Sequence, residues 1–211
     1  MSSGHTSVKA VIFDLGNVMV SFDHLIAAQK ICRLTSKSPQ EIYALFFDSG
    51  LTRSFEEGRL SARDFFLRVK EMLDLSLTYE EFLPIWNEIF FLTEDNKILH
   101  SLIPRLKQNY KVLLLSNINI LHYEYIKKHF SVLSVFDYIV ASYEEGVVKP
   151  DPKIYRKALE LLHLAPEEVF YTDDRKDLIE EALRLGIRAF LYQGAEQLKL
   201  DLKAAGLAFF E

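Results

Sequence analysis

Five short apolar runs, rich in β-branched residues, alternate with helix-length segments, and this alternation limits the folds that the chain can adopt. The runs are Val8 to Phe13, Lys111 to Leu115, Phe136 to Ala141, Val169 to Thr172 and Ile187 to Leu191. The helical segments between them are Asn96 to Gln108, Leu121 to His129, Lys153 to Leu162 and Leu178 to Leu185. Strands that alternate with helices favour a parallel sheet covered on both faces. We therefore expect an α/β fold.

Residues 21–92 interrupt this alternation, because they contain helix starts but no strand pattern. Ser38 to Glu41 combines an N-cap serine, a proline at the first helical position and a glutamate three positions on, and Thr78 to Glu81 repeats the capping box. Two apolar stripes at helical spacing follow, namely Phe65, Phe66, Val69, Met72 and Leu73, and Phe82, Ile85, Trp86, Ile89 and Phe90. We predict an all-helical insert with an aromatic core.

The length of 211 residues allows one large core and a modest second lobe. We expect a Rossmann-like parallel sheet core formed by residues 1–20 and 93–211, with an inserted all-helical cap formed by residues 21–92. The cap interrupts the core directly after its first strand.

Composition excludes several classes of partner. The net charge is -5 and no block of lysine and arginine is present, so nucleic acid is not an expected partner. No apolar run approaches the roughly 20 residues that a membrane-spanning helix needs. The single cysteine, Cys32, cannot form an intrachain disulfide. We expect a cytoplasmic protein, without a membrane partner, that is a monomer or a weak homodimer.

The residues that follow the predicted strands carry the chemistry. In an open α/β sheet, ligands bind outside the carboxyl ends of the strands. The first strand is followed by Asp14, the second by Ser116 and Asn117, the third by a segment that leads to Lys149, and the fourth by Asp173 and Asp174. An acid, a hydroxyl, an amide, a cation and an acid pair should therefore meet in one crevice.

This set has a coherent meaning if the substrate is a phosphate ester, since phosphoryl transfer depends on positioning and on neutralised charge. Asp14 can attack phosphorus and form an aspartyl phosphate. Asp173 and Asp174 can hold Mg²⁺, a hard cation that prefers carboxylates, waters and phosphate oxygens. Ser116 and Lys149, together with Asn117, can hold the phosphoryl group and offset its charge.

Four segments in order resemble the motifs of the haloacid dehalogenase superfamily. They are Val11 to Val18, Leu113 to Asn117, Val147 to Tyr155, and Val169 to Ala182. The resemblance covers nearly the whole chain and implies a mobile helical cap that closes over the site and sets specificity. The segment Phe55 to Ser61 resembles the substrate-facing loop of such a cap, which makes Glu57 and Arg59 the expected specificity residues.

The chain departs from the family pattern at Gly16. Most phosphatases of the family carry a second Asp there, which protonates the leaving oxygen and then activates water, a contribution of about 10² to 10⁴ in rate. The backbone carbonyl of Gly16 can still bind Mg²⁺. A smaller departure is Leu178, where many relatives have Asn or Asp. Asp177 lies one residue earlier.

Three hypotheses follow from Gly16. The first, which we favour, is an Mg²⁺-dependent phosphatase for a small phosphate with a good leaving group, such as a sugar 1-phosphate. The sequence resembles the glucose-1-phosphate phosphatase branch of the family. The second is a 2-haloacid dehalogenase, which needs no leaving-group proton and no Mg²⁺, so that Asp173 and Asp174 argue against it. The third is a binding or regulatory protein that has lost catalysis.

Overall fold

A computed structural model describes residues 7–47 and 50–208. Seven strands are formed within these residues, namely β1 (Ala10–Phe13), β2 (Ser21–Phe22), β3 (Phe90–Phe91), β4 (Lys111–Ser116), β5 (Tyr138–Ala141), β6 (Val169–Asp173) and β7 (Arg188–Leu191). Five of them form one parallel sheet in the order β5-β4-β1-β6-β7. The predicted α/β, Rossmann-like core is confirmed, and the strand that ends before Asp14 lies at the centre of the sheet.

Eleven α-helices complete the described part of the chain. They are α1 (His24–Cys32), α2 (Pro39–Phe47), α3 (Gly50–Glu56), α4 (Ala62–Met72), α5 (Tyr79–Asn87), α6 (Glu94–Leu106), α7 (Ile120–His129), α8 (Ser142–Glu145), α9 (Pro152–Leu162), α10 (Lys176–Arg184) and α11 (Ala195–Ala204). Short 3₁₀ turns occupy Ser131–Val135 and Pro166–Glu168. No helix in the described residues is both long and apolar enough to cross a membrane.

Helices cover both faces of the sheet, and successive side chains of a strand point to opposite faces. In β1, Val11 and Phe13 pack into one apolar cluster with residues of α6, α7 and α11. Ala10 and Ile12 pack into a second cluster with residues of α9 and α10. This two-sided burial explains why the strands are continuous apolar runs rather than alternating ones.

Helices α1 to α5 enclose a third apolar cluster, separate from the two against the sheet. At its centre, the Phe65 ring stacks on Phe55 with centroids 4.2 Å apart and contacts Trp86 at 4.7 Å. The predicted aromatic core is confirmed, although Met72 of the predicted stripe is 46% exposed at the end of α4. The capping boxes at Ser38 and Thr78 are formed as predicted.

Two strands that the sequence pattern did not predict lie at the two ends of the helical segment. β2 and β3 pair antiparallel, with Ser21 opposite Phe91 and Phe22 opposite Phe90. At β2 the chain leaves the parallel sheet for the helical segment, and at β3 it returns, so that the outgoing and returning segments run side by side. Strands of two residues are too short to show an alternating pattern in sequence.

Candidate active site

The carboxyl ends of the parallel strands open into a cavity of about 540 Å³ between the sheet and the helical segment. Asp14 follows β1, Ser116 ends β4, and Asp173 ends β6. Their register places them together, since Ile12 pairs with Leu113 and with Tyr171 across the two interfaces of β1. The predicted residues Asp14, Gly16, Ser116, Asn117, Lys149, Asp173 and Asp174 all line this cavity.

The Lys149 ammonium joins two of the carboxylates. Its Nζ lies 2.6 Å from Asp14 Oδ1 and 2.6 Å from Asp173 Oδ2, and it also donates to the Leu115 carbonyl at 3.1 Å. The Tyr171 hydroxyl donates to the same Asp173 oxygen. Lys149 is 3% exposed, so both ion pairs are shielded from water. Buried charges of this kind persist only when they are paired.

Burial and charge act against each other on these groups. Burial raises the pKa of Asp14 to about 7, and Lys149 opposes that rise. Burial also disfavours the charge on Lys149, but Asp14 and Asp173 hold the pKa of Lys149 above its ordinary value. Burial likewise disfavours the charge on Asp173, but Lys149 and the Tyr171 hydroxyl keep the pKa of Asp173 below its ordinary value. The cluster is therefore organised around one positive charge.

Asn117 fixes the backbone that carries this ammonium. Its Oδ1 accepts from the Lys149 N–H at 2.7 Å, and its Nδ2 donates to the Lys149 carbonyl at 2.9 Å. These two bonds use the side-chain amide to clamp one residue. Asn117 thus positions Lys149, and its predicted part in holding a phosphoryl group stays a prediction.

Three carboxylates are close enough to share a cation. One oxygen from each of Asp14, Asp173 and Asp174 lies within 4.8 Å of the others. Asn17 donates from Nδ2 to Asp174 Oδ2 at 3.2 Å, which orients that carboxylate. Burial raises the pKa of Asp174, and the bond from Asn17 opposes this. Hard carboxylate oxygens in such a group suit Mg²⁺, and a bound dication would favour their ionised forms.

Phe22 fills the space beside Gly16. A Cβ built on Gly16 would lie 2.7 Å from Cε1 of the Phe22 ring. That ring is held from other sides by His24, at 4.9 Å between centroids, and by Phe90, at 6.1 Å. Gly16 therefore leaves the space that the Phe22 ring, from the start of the helical segment, occupies.

The structure changes the assignment of the cap residues. Glu57 and Arg59, predicted from the resemblance to face the substrate, do not line the cavity. Glu57 is 5% exposed and pairs with Arg53 Nε and Arg59 Nη1, each at 3.1 Å. The cavity is lined instead by Thr52, Arg53 and Glu56 from α3. The residues that line the cavity precede the predicted pair by one to seven positions. In sequence these neighbours are equally polar, and only the docking of α3 selects among them.

The cap and core are joined at the end of α3. The Ser142 hydroxyl of α8 donates to the Glu56 carbonyl at 2.7 Å and accepts from the Ile118 N–H at 2.9 Å. Gly58 has φ +66, and a Cβ there would lie 2.1 Å from the Tyr143 carbonyl oxygen. The two segments touch backbone to backbone at this point, which only glycine permits.

Several lining residues were missed by sequence reasoning, namely Phe22, His24, Thr52, Arg53, Glu56 and Arg175. Of these, only Arg175 had a local signal, because it directly follows the acid pair. Its guanidinium pairs with Asp177 at 2.6 Å, while Leu178 lines the cavity. Asp177 therefore does not take the place of the acid or amide that many relatives have at Leu178.

Comparisons with known proteins agree with this architecture. A family model described as haloacid dehalogenase-like hydrolase matches residues 8–186. The chain is 28% identical over 189 residues to the D-ribitol-5-phosphate phosphatase of Bacteroides thetaiotaomicron, covering 87% of this chain and 91% of that protein. It is 26% identical over 196 residues to a phosphatase of Mycobacterium tuberculosis, covering 90% of each.

Solved structures show the same fold. A haloacid dehalogenase (HAD) family enzyme of Bacteroides thetaiotaomicron superposes with a TM-score of 0.82 at 24% identity, covering 92% of this chain and 98% of that chain. The same enzyme in complex with magnesium and inorganic phosphate gives a TM-score of 0.79 at 25% identity, covering 89% and 95%. The family match spans most of the sequence and every strand of the parallel sheet except β7, and on this ground the chain belongs to the haloacid dehalogenase-like hydrolases.

Proposed function

We propose that this protein is an Mg²⁺-dependent phosphatase that hydrolyses a small organic phosphate through a phosphorylated Asp14. One observation carries the proposal. A buried lysine lies 2.6 Å from the candidate nucleophile Asp14 and 2.6 Å from Asp173, beside a third carboxylate, in a cavity of about 540 Å³. A nucleophile, a cation and a metal-binding acid cluster in one cleft are the parts that phosphoryl transfer requires.

Asp14, Asp173 and Asp174, with the backbone carbonyl of Gly16, would hold the metal ion. Bound Mg²⁺ supplies positive charge that offsets the charge on the transferring phosphoryl group. The relative of known structure crystallised with magnesium and inorganic phosphate supports this choice of ion. The donor set supports it as well, since the cluster offers carboxylate oxygens and neither cysteine nor histidine.

The reaction would proceed in two steps. An Asp14 oxygen attacks phosphorus, the ester P–O bond breaks, and the leaving oxygen takes up a proton from water. Water then attacks the aspartyl phosphate, which releases inorganic phosphate and restores the Asp14 carboxylate. Lys149 would offset negative charge in both steps, and the Ser116 hydroxyl would donate to a phosphoryl oxygen, a role supported by the position of Ser116 in the cavity wall at the end of β4.

The substrate would be a small polar phosphate, either a sugar 1-phosphate or an alditol phosphate. The first was inferred from the sequence motif. The second is supported by the relative named as a D-ribitol-5-phosphate phosphatase. On the cap side of the cavity, Thr52, Arg53 and Glu56 offer a hydroxyl, a guanidinium and a carboxylate, which suit a substrate rich in hydroxyl groups.

The test is phosphate release from D-ribitol 5-phosphate, glucose 1-phosphate, acetyl phosphate and p-nitrophenyl phosphate, each with Mg²⁺ and with EDTA. Asp14→Asn should abolish release, and Asp174→Asn should raise the Mg²⁺ concentration needed for half-maximal rate. Asp201→Asn, on α11 away from the cavity, is the matched control and should behave as wild type.

Three results would contradict the proposal. Phosphate release that persists in Asp14→Asn would remove the assigned nucleophile. No release from any substrate, with chloride released instead from 2-chloropropionate, would replace the phosphatase by a dehalogenase. If neither phosphates nor 2-chloropropionate react, the protein is instead a binding protein that has lost catalysis.

A further inference from the structure

The cleft lacks a proton donor at the position where the family motif usually provides one. Gly16 has no side chain, and the Phe22 ring occupies the adjacent space. Cleavage of a phosphate ester of an ordinary alcohol expels a strongly basic alkoxide unless that oxygen is protonated as the bond breaks. If the protein acts on such esters, another group in the cavity must hold this proton.

Glu56 lies in the part of the cavity where this proton is needed. It lines the main cavity together with Asp14 and also a small adjoining cavity of about 60 Å³, whose walls include Gly16, Phe22 and Ser116. Glu56 therefore faces the same side of the site as the motif position that carries no acid. It is the last residue of α3, at the point where the helical segment meets the core.

The position of Glu56 is fixed, but its carboxyl group is uncommitted. The Ser142 hydroxyl holds its backbone carbonyl at 2.7 Å. Within the described residues, the carboxyl group of Glu56 has no hydrogen bond and no ion pair, whereas its neighbour Glu57 is paired with two arginines. A partly buried carboxyl that is left without a partner in a polar cavity is available to a ligand.

We propose that Glu56 is the general acid and general base of the reaction. This rests on the phosphatase function proposed above. The protonated carboxyl gives its proton to the ester oxygen as the P–O bond breaks, so that the alcohol leaves neutral. The resulting carboxylate then takes a proton from the water that attacks phosphorus of the aspartyl phosphate, which restores the acid for the next turnover.

The electrostatic surroundings agree with this role. Burial raises the pKa of Glu56 to about 7, with Arg175 and Lys149 opposing and Glu57 assisting. Arg53 and His24 also face this part of the cavity. A carboxyl that is protonated in part of the molecules near neutral pH can both give and take a proton. Burial lowers the pKa of His24 to about 4, so its imidazole carries little proton to donate.

The experiment compares Glu56→Gln with wild type on two leaving groups. With D-ribitol 5-phosphate, whose leaving group is an alkoxide, we expect kcat to fall by about 10² to 10⁴, the range of acid–base catalysis. With p-nitrophenyl phosphate, whose leaving group needs no proton, we expect a rapid burst of about one p-nitrophenol per active site. Slow steady-state turnover should follow, because hydrolysis of the aspartyl phosphate still lacks its base.

The controls separate catalysis from folding and binding. Glu71→Gln, an exposed acid on α4, should match wild type, and Glu56→Asp should recover part of the alkyl phosphatase rate. Near-ultraviolet circular dichroism and urea unfolding of Glu56→Gln should show the wild-type fold.

Each contrary outcome has a distinct meaning. If Glu56→Gln slows the p-nitrophenol burst as much as the alkyl phosphate reaction, or changes only KM, Glu56 is not the proton donor although the phosphatase function stands. If wild type hydrolyses D-ribitol 5-phosphate and Glu56→Gln does so at the same rate, the inference is likewise wrong. If wild type releases no phosphate from any ester, both the function and the inference are overturned.

Discussion

Gly16 and Phe22 form a complementary pair, in which the Phe22 ring stands 2.7 Å from the point where a Cβ would lie on Gly16. The ring cannot move aside freely, because His24 and Phe90 pack against it. An acid at position 16 would therefore require a different residue at position 22 as well. The absence of an acid at position 16 is thus coupled to the presence of Phe22 at the start of the helical segment.

From this pair we predict that Gly16→Ala destabilises the protein by about 1 to 3 kcal/mol, as expected for overpacking a well-filled interior. Phe22→Leu should relieve part of this loss, so that the double variant is more stable than the sum of the single changes implies. Urea unfolding of all four proteins measures the coupling. Gly50→Ala is the control, since a Cβ there meets no atom within 4 Å. Strict additivity would contradict the proposed clash.

Removal of the buried Lys149 ammonium should destabilise the folded protein. We predict that Lys149→Met lowers the free energy of unfolding by about 3 to 5 kcal/mol, because two buried carboxylates lose their partner. Saturating Mg²⁺ should restore a large part of the loss. Lys157→Met, which removes only a surface pair with Glu145, should change the free energy by less than about 1 kcal/mol. A loss in Lys149→Met that Mg²⁺ leaves unchanged would argue against a metal site at these carboxylates.

The contact between Gly58 and Tyr143 should control the docking of the cap. We predict that Gly58→Ala lowers kcat/KM at least tenfold, because a Cβ would lie 2.1 Å from the Tyr143 carbonyl oxygen and α3 would be displaced. Gly146→Ala is a matched control, since Gly146 also has a positive φ, +72, but open space around it. Equal losses of kcat/KM in both variants would assign the effect to backbone strain rather than to docking.

A pH dependence follows from His122. Burial lowers the pKa of His122 to about 3, so the folded protein keeps it neutral, while the unfolded chain binds a proton below its ordinary pKa of 6.5. The unfolded state thus binds more protons between these values, and the contribution of His122 to stability falls as the pH drops below about 6.5. It is fully present above that pH.

We predict that the stability of wild type relative to His122→Gln decreases by roughly 1.4 kcal/mol for each pH unit below about 6.5. Urea unfolding of both proteins at pH 7.5, 6.0 and 5.0 gives this difference, in which the titration of groups that do not interact with His122 cancels. A difference between wild type and His122→Gln that is constant with pH would contradict the assignment.

The sequence by itself determined the core of the site. Asp14, Ser116, Asp173 and Asp174 each end or follow an apolar run, and the carboxyl ends of parallel strands must meet at one edge of the sheet. Local patterns therefore suffice to bring the acids and the hydroxyl to that edge. The same holds for helices α2, α4 and α5, because capping and helical spacing are properties of neighbouring residues.

Tertiary structure alone decided which cap residues face the cleft. Glu56 and Glu57 are adjacent and chemically identical, yet one lines the cavity and the other is buried between two arginines. Likewise, Asn117 clamps Lys149, 32 residues away in the chain, and Phe22 closes the space beside Gly16. No local pattern encodes such choices, because they depend on the angle at which the helical segment docks on the sheet, and that angle is set by contacts between residues far apart in the chain.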